Sequence, residues 1–168
     1  MDRLTCKLCK KRKSKNEFAK RFHETGKYQG GKAVCNDCER TRQIKNIYKN
    51  PRNYIASRHH DMCQRAKKYD ISLDEAIDTD FLVDLFKQQD GRCALSNLPM
   101  TWIHEGLASN HGSRRGTNVS VDRVNPSEGY QPGNVRLVCD RVNKLKSNML
   151  DGDLYFWCAI LTKAFSGL

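Results

Sequence analysis

Asp122, Arg123 and Asn143 are the residues whose types suit chemistry on a phosphodiester. A carboxylate and an amide oxygen are hard ligands matched to Mg²⁺, with waters and phosphate oxygens completing the shell. Mg²⁺ held in this way stabilises charge on a phosphodiester as it is cleaved. Arg123 adds a permanently charged fork that fits phosphate. Asp122 and Asn143 are 21 positions apart, so the intervening elements have to fold them together. Val119, Ser120 and Val121 alternate apolar and polar and predict a strand. Asn125-Pro126-Ser127-Glu128-Gly129 and then Pro132-Gly133 make a loop dense in turn formers. Val135, Leu137 and Cys139, interleaved with Arg136 and Val138, predict a second strand. Asp140 then caps a helix whose buried face carries Val142, Leu145 and Met149, with Asn143 and Ser147 pointing away from it. The stretch reads as a ββα unit in which Asp122 and Asn143 face each other.

A second set of residues with metal chemistry lies near the N-terminus. Cys6-Lys7-Leu8-Cys9 and Cys35-Asn36-Asp37-Cys38 are two CxxC pairs. Four thiolates from two knuckles give closed tetrahedral Zn²⁺, and a closed shell leaves no position for reactive water, so the expected role is structural. A redox role for either pair is disfavoured by the lack of a βαβ context. Between the knuckles lie Lys10, Lys11, Arg12, Lys13, Lys15, Lys20 and Arg21, with Phe18 and Phe22 as packing for a small core and Gly26, Gly30 and Gly31 as an excursion. These cations are expected to contact phosphate and supply affinity rather than sequence readout.

The wording Val121-Asp122-Arg123, Gly129-Tyr130, Asn134-Val135-Arg136-Leu137, Cys139 and Asn143-x-x-Lys146-Ser147-Asn148 resembles the HNH (ββα-metal, His-Me finger) endonuclease family, in particular its PacI-type restriction branch and small phage members. Asn16-Glu17-Phe18 after the first knuckle is similar to the zinc modules of those phage proteins. The resemblance implies a single catalytic metal on the residues matching Asp122 and Asn143, and a loop-pinning role for Asn134. It also implies double-stranded DNA as substrate. The family's first His, its general base, is replaced here by Arg123, a change the resemblance places in the PacI-type branch. The base is left open among His60, His104, His111 and Tyr69, or a second-shell water. Cys93-x-x-Ser96 and Cys139-x-x-Val142 stand where relatives carry a second pair of CxxC knuckles. Each lacks its second Cys, so a second zinc is expected to be lost and its space filled by apolar packing.

The chain has 168 residues and a formal net charge of +11. Residues 1–70 hold 20 basic and 7 acidic residues; residues 71–168 hold 10 and 12. So uneven a balance points to a polyanionic partner, most simply nucleic acid, and charge does not distinguish DNA from RNA. No apolar run approaches the ~20 residues of a membrane span. No leader-like apolar segment is visible at the N-terminus. A bacterial or phage-infected host cytosol is the expected setting, where cysteines serve as metal ligands and core rather than disulfides.

The remaining stretches supply scaffolding. Pro51 starts a helix with Ile55, His59, Met62, Ala66 and Tyr69 on its apolar stripe and Arg52, Arg58, Arg65, Lys67 and Lys68 on the remaining surface. Ser72-Leu73-Asp74-Glu75 predicts a capping box and a short helix. Phe81, Leu82, Leu85 and Phe86 form the stripe of another, ended by Gly91. Thr101 to His104 begins a strand, and the loop at 109–118 carries His111, Arg114 and Arg115 just before the catalytic strand, placed to reach DNA. Lys144 and Lys146 are expected on flanking phosphates. Leu154, Trp157, Cys158, Leu161 and Phe165 form a last apolar stripe, which either covers the ββα unit or meets a second copy in a homodimer. The expected organisation is α+β: a basic zinc module at 1–45, connecting helices at 46–91, and a ββα-metal nuclease core with a C-terminal helix at 92–168. The expected function is Mg²⁺-dependent endonucleolytic hydrolysis of DNA in restriction, homing or phage biology. The alternative is a catalytically inactive zinc-containing DNA-binding protein.

Overall fold

The computed structural model describes residues 3–18, 33–104 and 116–167. They form two compact units, 1–47 and 48–168. The helices expected as a connector over 46–91 therefore lie within the second unit.

In the first unit, β1 (Arg3–Thr5) and β2 (Arg12–Ser14) pair antiparallel, with the first Cys knuckle between them. The knuckle closes through Cys6 N–H to the Lys11 carbonyl (3.0 Å) and Lys10 N–H to the Cys6 carbonyl (2.9 Å), with Lys10 at φ +61°. Ser14 and Glu17 cap a single 3₁₀ turn reciprocally. Helix α1 (Asn36–Ile47) starts inside the second knuckle. Among the described residues its buried core is Cys6, Phe18, Ala33 and Cys35. Lys20, Arg21, Phe22, Gly26, Gly30 and Gly31 lie outside the described residues.

The second unit is built on α2 (Pro51–Lys68), α3 (Thr79–Gln88), the antiparallel pair β3 (Val119–Arg123) and β4 (Val135–Cys139), and helices α4 (Asp140–Lys146) and α5 (Asp151–Ser166). Asn50 caps α2, with Pro51 in its first turn, and Asp78 caps α3. Helix α2 packs on α3 and β3, and α4 packs on both strands. Tyr54, Ile55, Met62, Leu82, Tyr130, Leu137 and Val138 form the centre of its core. Tyr69 is exposed, and Arg58 is buried against the Tyr54 ring with its guanidinium 4.8 Å from the ring centroid, the reverse of the expected stripe at both positions.

Residues 72–78 do not form the expected short helix. Leu73 instead bridges Tyr130, with Tyr130 N–H to the Ser72 carbonyl and Asp74 N–H to the Tyr130 carbonyl, both 2.9 Å. A long-range backbone pairing has overridden a local capping signal. The approach is so close that a Cβ at Gly129 would sit 2.5 Å from the Ser72 carbonyl oxygen, which explains glycine there. Thr101–His104 is likewise not a strand. The fully buried Asn118 amide accepts from Ile103 N–H (2.9 Å) and donates to the Ile103 carbonyl (2.8 Å), doing the work of a strand partner. On the outer edge of β4, the Gln89 amide pairs with both backbone groups of Leu137 (2.8 and 2.9 Å).

Helix α4 begins after Cys139, one residue earlier than a cap at Asp140, and it ends at Lys146. Its expected buried face is wrong at the centre. Leu145 is 59% exposed and Lys146 is fully buried. Helix α5 also departs from expectation: Leu154 is buried, but every residue from 155 to 167 is exposed. The helix does not cover the ββα unit beyond its first turn.

Candidate functional site

A cavity of about 300 Å³ opens between the end of β3, the following loop, α4 and α2. Asp122, Arg123, Asn143 and Lys144 line it together with Arg65, Ser120, Tyr130, Asp140, Ser147 and Asn148. The antiparallel register sets Asp122 opposite Arg136 on β4. The Asp122 carboxylate is buried, 4% exposed. One oxygen accepts from Arg136 Nε (2.8 Å) and the other from Lys146 Nζ (3.3 Å). Lys146 also donates to the Arg123 carbonyl (2.8 Å), so its ammonium fixes both ends of the Asp-Arg step. Arg136 in turn grips Asp151 with two nitrogens (2.6 and 2.5 Å). Burial disfavours the Arg136 charge, but Asp151 and Asp122 outweigh it and raise its pKa, while Arg136 lowers that of Asp151. Lys146–Asp122–Arg136–Asp151 is therefore a continuous chain of alternating charge. It corrects one expectation: Lys146 does not meet phosphate, because its ammonium is committed beneath Asp122.

The Asn143 amide is oriented by two donated bonds, to Ser120 Oγ (2.7 Å) and to the Val121 carbonyl (3.0 Å). Asp122 and Asn143 thus both line one open cavity, and each carries oxygen, the donor type that hard divalent cations take. Asp140, one helical turn from Asn143, is a third lining oxygen donor and accepts from Lys144 (2.6 Å). The Arg123 guanidinium lies 5.3 Å from the Tyr130 ring centroid and donates to the Glu128 carbonyl (2.8 Å). Arg65, from α2, reaches the Tyr130 hydroxyl (3.4 Å). Two guanidiniums therefore border the same cavity as the carboxylates.

The loop that carries Arg123 out of β3 is held by Asn134. Its oxygen accepts from Asn125 N–H (2.8 Å), and its nitrogen donates to the carbonyls of Asn125 (3.1 Å) and Gly129 (2.8 Å). Asn134 does not line the cavity. Of the candidate bases among the described residues, His60, His104 and Tyr69, none lines it either. His59, beside His60, contacts the Ile77 carbonyl, His104 packs edge-on to Tyr48, and Tyr69 is exposed beside Lys68. His111, Arg114 and Arg115 lie outside the described residues.

Sequence reasoning missed Arg65, Tyr130, Arg136 and Asp140 as members of this neighbourhood. Asp140 was legible only as a cap. Arg136 had a usable signal, since an antiparallel hairpin with a loop of this length sets it across from Asp122.

The first unit carries the second cluster. The Sγ atoms of Cys6, Cys9, Cys35 and Cys38 lie within 4.8 Å of one another, and Cys9 and Cys35 are 3.9 Å apart. Tetrahedral thiolate coordination to zinc requires sulfurs about 3.8 Å apart, so the four residues fit such an ion. Burial raises the Cys6 thiol, but N–H groups of Cys35, Cys9 and Leu8 outweigh it and hold it down to about 6, while the neighbouring Cys35 pushes Cys38 up to about 12. Lys10, Lys11 and Arg12 are exposed around the first knuckle. Lys13 is less available: it is paired with Asp37 (2.5 Å) and Glu17 (3.2 Å).

Cys93 and Cys139 meet in the core of the second unit. Cys93 Sγ accepts from Cys139 N–H (3.3 Å) and Ser96 N–H (3.4 Å), so the knuckle geometry persists around two buried sulfurs. Among the described residues the only cluster of three or more potential metal ligands is the N-terminal one. No described helix is long and apolar enough to cross a membrane.

No protein-family model matches the chain, and no curated protein matches it. Among solved structures it is similar to PacI, described as a rare-cutting HNH restriction endonuclease that perturbs DNA. The alignment covers 97% of this chain and 96% of that one, with 20% sequence identity and a TM-score of 0.42.

Proposed function

We propose that the chain is an endonuclease that hydrolyses DNA phosphodiester bonds in the cavity at the end of β3. The observation that carries this reading is the meeting of Asp122, Asn143 and Asp140 with Arg65 and Arg123 around one opening of about 300 Å³. Hard oxygen donors beside two guanidiniums suit a phosphodiester and one divalent cation, with Mg²⁺ the natural ion. When bound, the cation supplies Lewis-acid stabilisation of charge on the phosphate.

The chain's own residues do the rest. Arg123 and Arg65 bind non-bridging phosphate oxygens, held in place by the Tyr130 ring and hydroxyl. Asn143 presents its oxygen because its nitrogen is committed to Ser120 and Val121. Asp140 takes a proton from the attacking water as the water oxygen bonds to phosphorus; the bond from phosphorus to the sugar oxygen breaks, and that oxygen leaves as a hydroxyl by taking a proton from solvent. Asn134 keeps the loop in register, and Lys144 lies at the cavity rim for the adjacent phosphate. Four cysteines hold a structural Zn²⁺, and the exposed Lys10, Lys11 and Arg12 add affinity for double-stranded DNA.

A second reading has its own support. Two cations, the fully buried Lys146 and the half-buried Arg136, neutralise Asp122, and no described histidine lines the cavity, as expected of a zinc-containing DNA-binding protein without catalysis. Incubating supercoiled plasmid with the purified protein and Mg²⁺ separates the two. Nicking or linearisation, lost with EDTA, in Asp122→Ala and in Asn143→Ala, and reduced in Asp140→Asn, supports the nuclease. Retarded but intact DNA supports the binding protein.

A further inference from the structure

We infer that Lys146 withholds Asp122 from a free divalent ion, so that the cavity takes its metal only together with DNA phosphate. The inference deepens the reading above and rests on its cation-and-phosphate part. It starts from charge. Among the described residues, Arg65, Arg123 and Lys144 line the cavity against Asp122 and Asp140. Directly behind them Lys146 and Arg136 bear on Asp122, and Asp151 bears on Arg136. Five cations thus meet three carboxylates, an excess of two positive charges. A site that holds a divalent ion by itself is built the other way, with carboxylates in excess.

Lys146 decides the balance at Asp122. Its side chain is fully buried, with Nζ 3.3 Å from one carboxylate oxygen and 2.8 Å from the Arg123 carbonyl. Arg136 Nε lies 2.8 Å from the other carboxylate oxygen. Both Asp122 oxygens therefore already face a positive charge that the protein itself holds in place. A divalent ion about 5 Å from a fixed ammonium loses on the order of 10-fold in affinity even at the dielectric constant of water, and more where burial lowers it. Phosphate is drawn in by the same field. Two phosphate groups, the one to be cut and its neighbour at Lys144, cancel the excess of two. Mg²⁺ keeps several waters and is commonly held by one or two carboxylates plus substrate phosphates. Here the substrate supplies the negative charge that the site lacks. Lys146 does not line the cavity, so it is a positioning residue that acts through Asp122.

The test is Mn²⁺ binding to the full-length, zinc-loaded protein, read by electron paramagnetic resonance without and with duplex DNA, the DNA's own uptake being subtracted. Wild type is expected to bind Mn²⁺ about 100-fold more tightly with DNA than without, and to bind the DNA before any divalent ion is added. Lys146→Met should tighten Mn²⁺ binding to the free protein about 10-fold. That variant loses stability, so it is measured at a temperature where circular dichroism shows it folded. Lys144→Met, at an exposed position, serves beside it and should gain about threefold. Adding Asp122→Ala to Lys146→Met should abolish the gain, and a gain that survives it overturns the inference. Equal Mn²⁺ affinity with and without DNA also overturns it. So does a folded Lys146→Met with wild-type Mn²⁺ affinity, which would leave the lysine a structural role alone. The plasmid assay keeps the two readings apart. Intact plasmid beside DNA-dependent Mn²⁺ uptake would sink the nuclease and leave this inference standing. Plasmid cut by a protein that already holds Mn²⁺ without DNA would do the reverse.

Discussion

The two units each contain a pair of cysteine knuckles, and the pairs are held together by different physics. In the first unit Cys6, Cys9, Cys35 and Cys38 converge, and among the described residues the buried core around them amounts to four. Against so small a described core, the four thiols are the feature able to tie the unit together through an ion. In the second unit the knuckles retain one sulfur each. Cys93 and Cys139 sit in a core that includes Tyr54, Met62, Leu82, Leu137 and Val138, and the Cys93 sulfur accepts from the Cys139 and Ser96 backbone N–H groups. There the apolar core, and not a set of four thiols, holds the two knuckles together.

Removing zinc should break the comparison most sharply. Structural zinc contributes an apparent stabilisation of about 10–16 kcal/mol at neutral pH. A chelator should therefore abolish amide protection in residues 3–18 and 33–47 while leaving that of β3 and β4 unchanged, as read by hydrogen exchange. Metal analysis should return one zinc per chain; two would mean that Cys93 and Cys139 still bind an ion. Next in size is the buried charge chain. Lys146→Met leaves the buried Asp122 carboxylate with one partner and should destabilise the second unit by about 3–5 kcal/mol in urea, without loss of zinc.

Cys93→Ala is a smaller perturbation. It leaves the Cys139 and Ser96 N–H groups without an acceptor and should cost about 1–3 kcal/mol, again with zinc content unchanged. The smallest effect is a pH dependence. The Asp151 carboxyl is lowered by Arg136, so its contribution is fully present above the ordinary carboxylate range, about pH 4, and disappears as pH falls further. Urea midpoints compared at pH 7 and pH 3 should converge for wild type and Asp151→Asn as the acid is reached.

Much of the site was legible because it is local. Alternation in Val119–Val121 and Val135–Cys139, with turn formers between, places β3 and β4 directly, and the CxxC spacing places the thiol cluster. What was not legible depends on partners distant in sequence. Periodicity buried Leu145 and exposed Lys146, whereas Asp122 and the Arg123 carbonyl draw the ammonium of Lys146 inside. The capping box at Ser72–Glu75 is a sound local signal that lost to backbone pairing with Tyr130. Arg65 looked like one cation among several on α2, and only the fold brings it beside Arg123. The apolar stripe of α5 was visible, but no local feature says that the chain body leaves it bare.

The side-chain closure of β4 has a consequence for how the protein behaves when crowded. A two-stranded ribbon has one open edge on each strand, and such edges are templates on which other chains add strands. On β4 the Leu137 amide and carbonyl are taken by Gln89, the same carbonyl by Ala94 N–H (3.1 Å), and the Cys139 amide by the Cys93 sulfur. A neighbouring strand would find these groups already paired. At Leu137 and Cys139 this margin of the ribbon is closed by Gln89, Ala94 and the Cys93 thiol rather than by a third strand, and Gln89→Ala would reopen it where Leu137 lies.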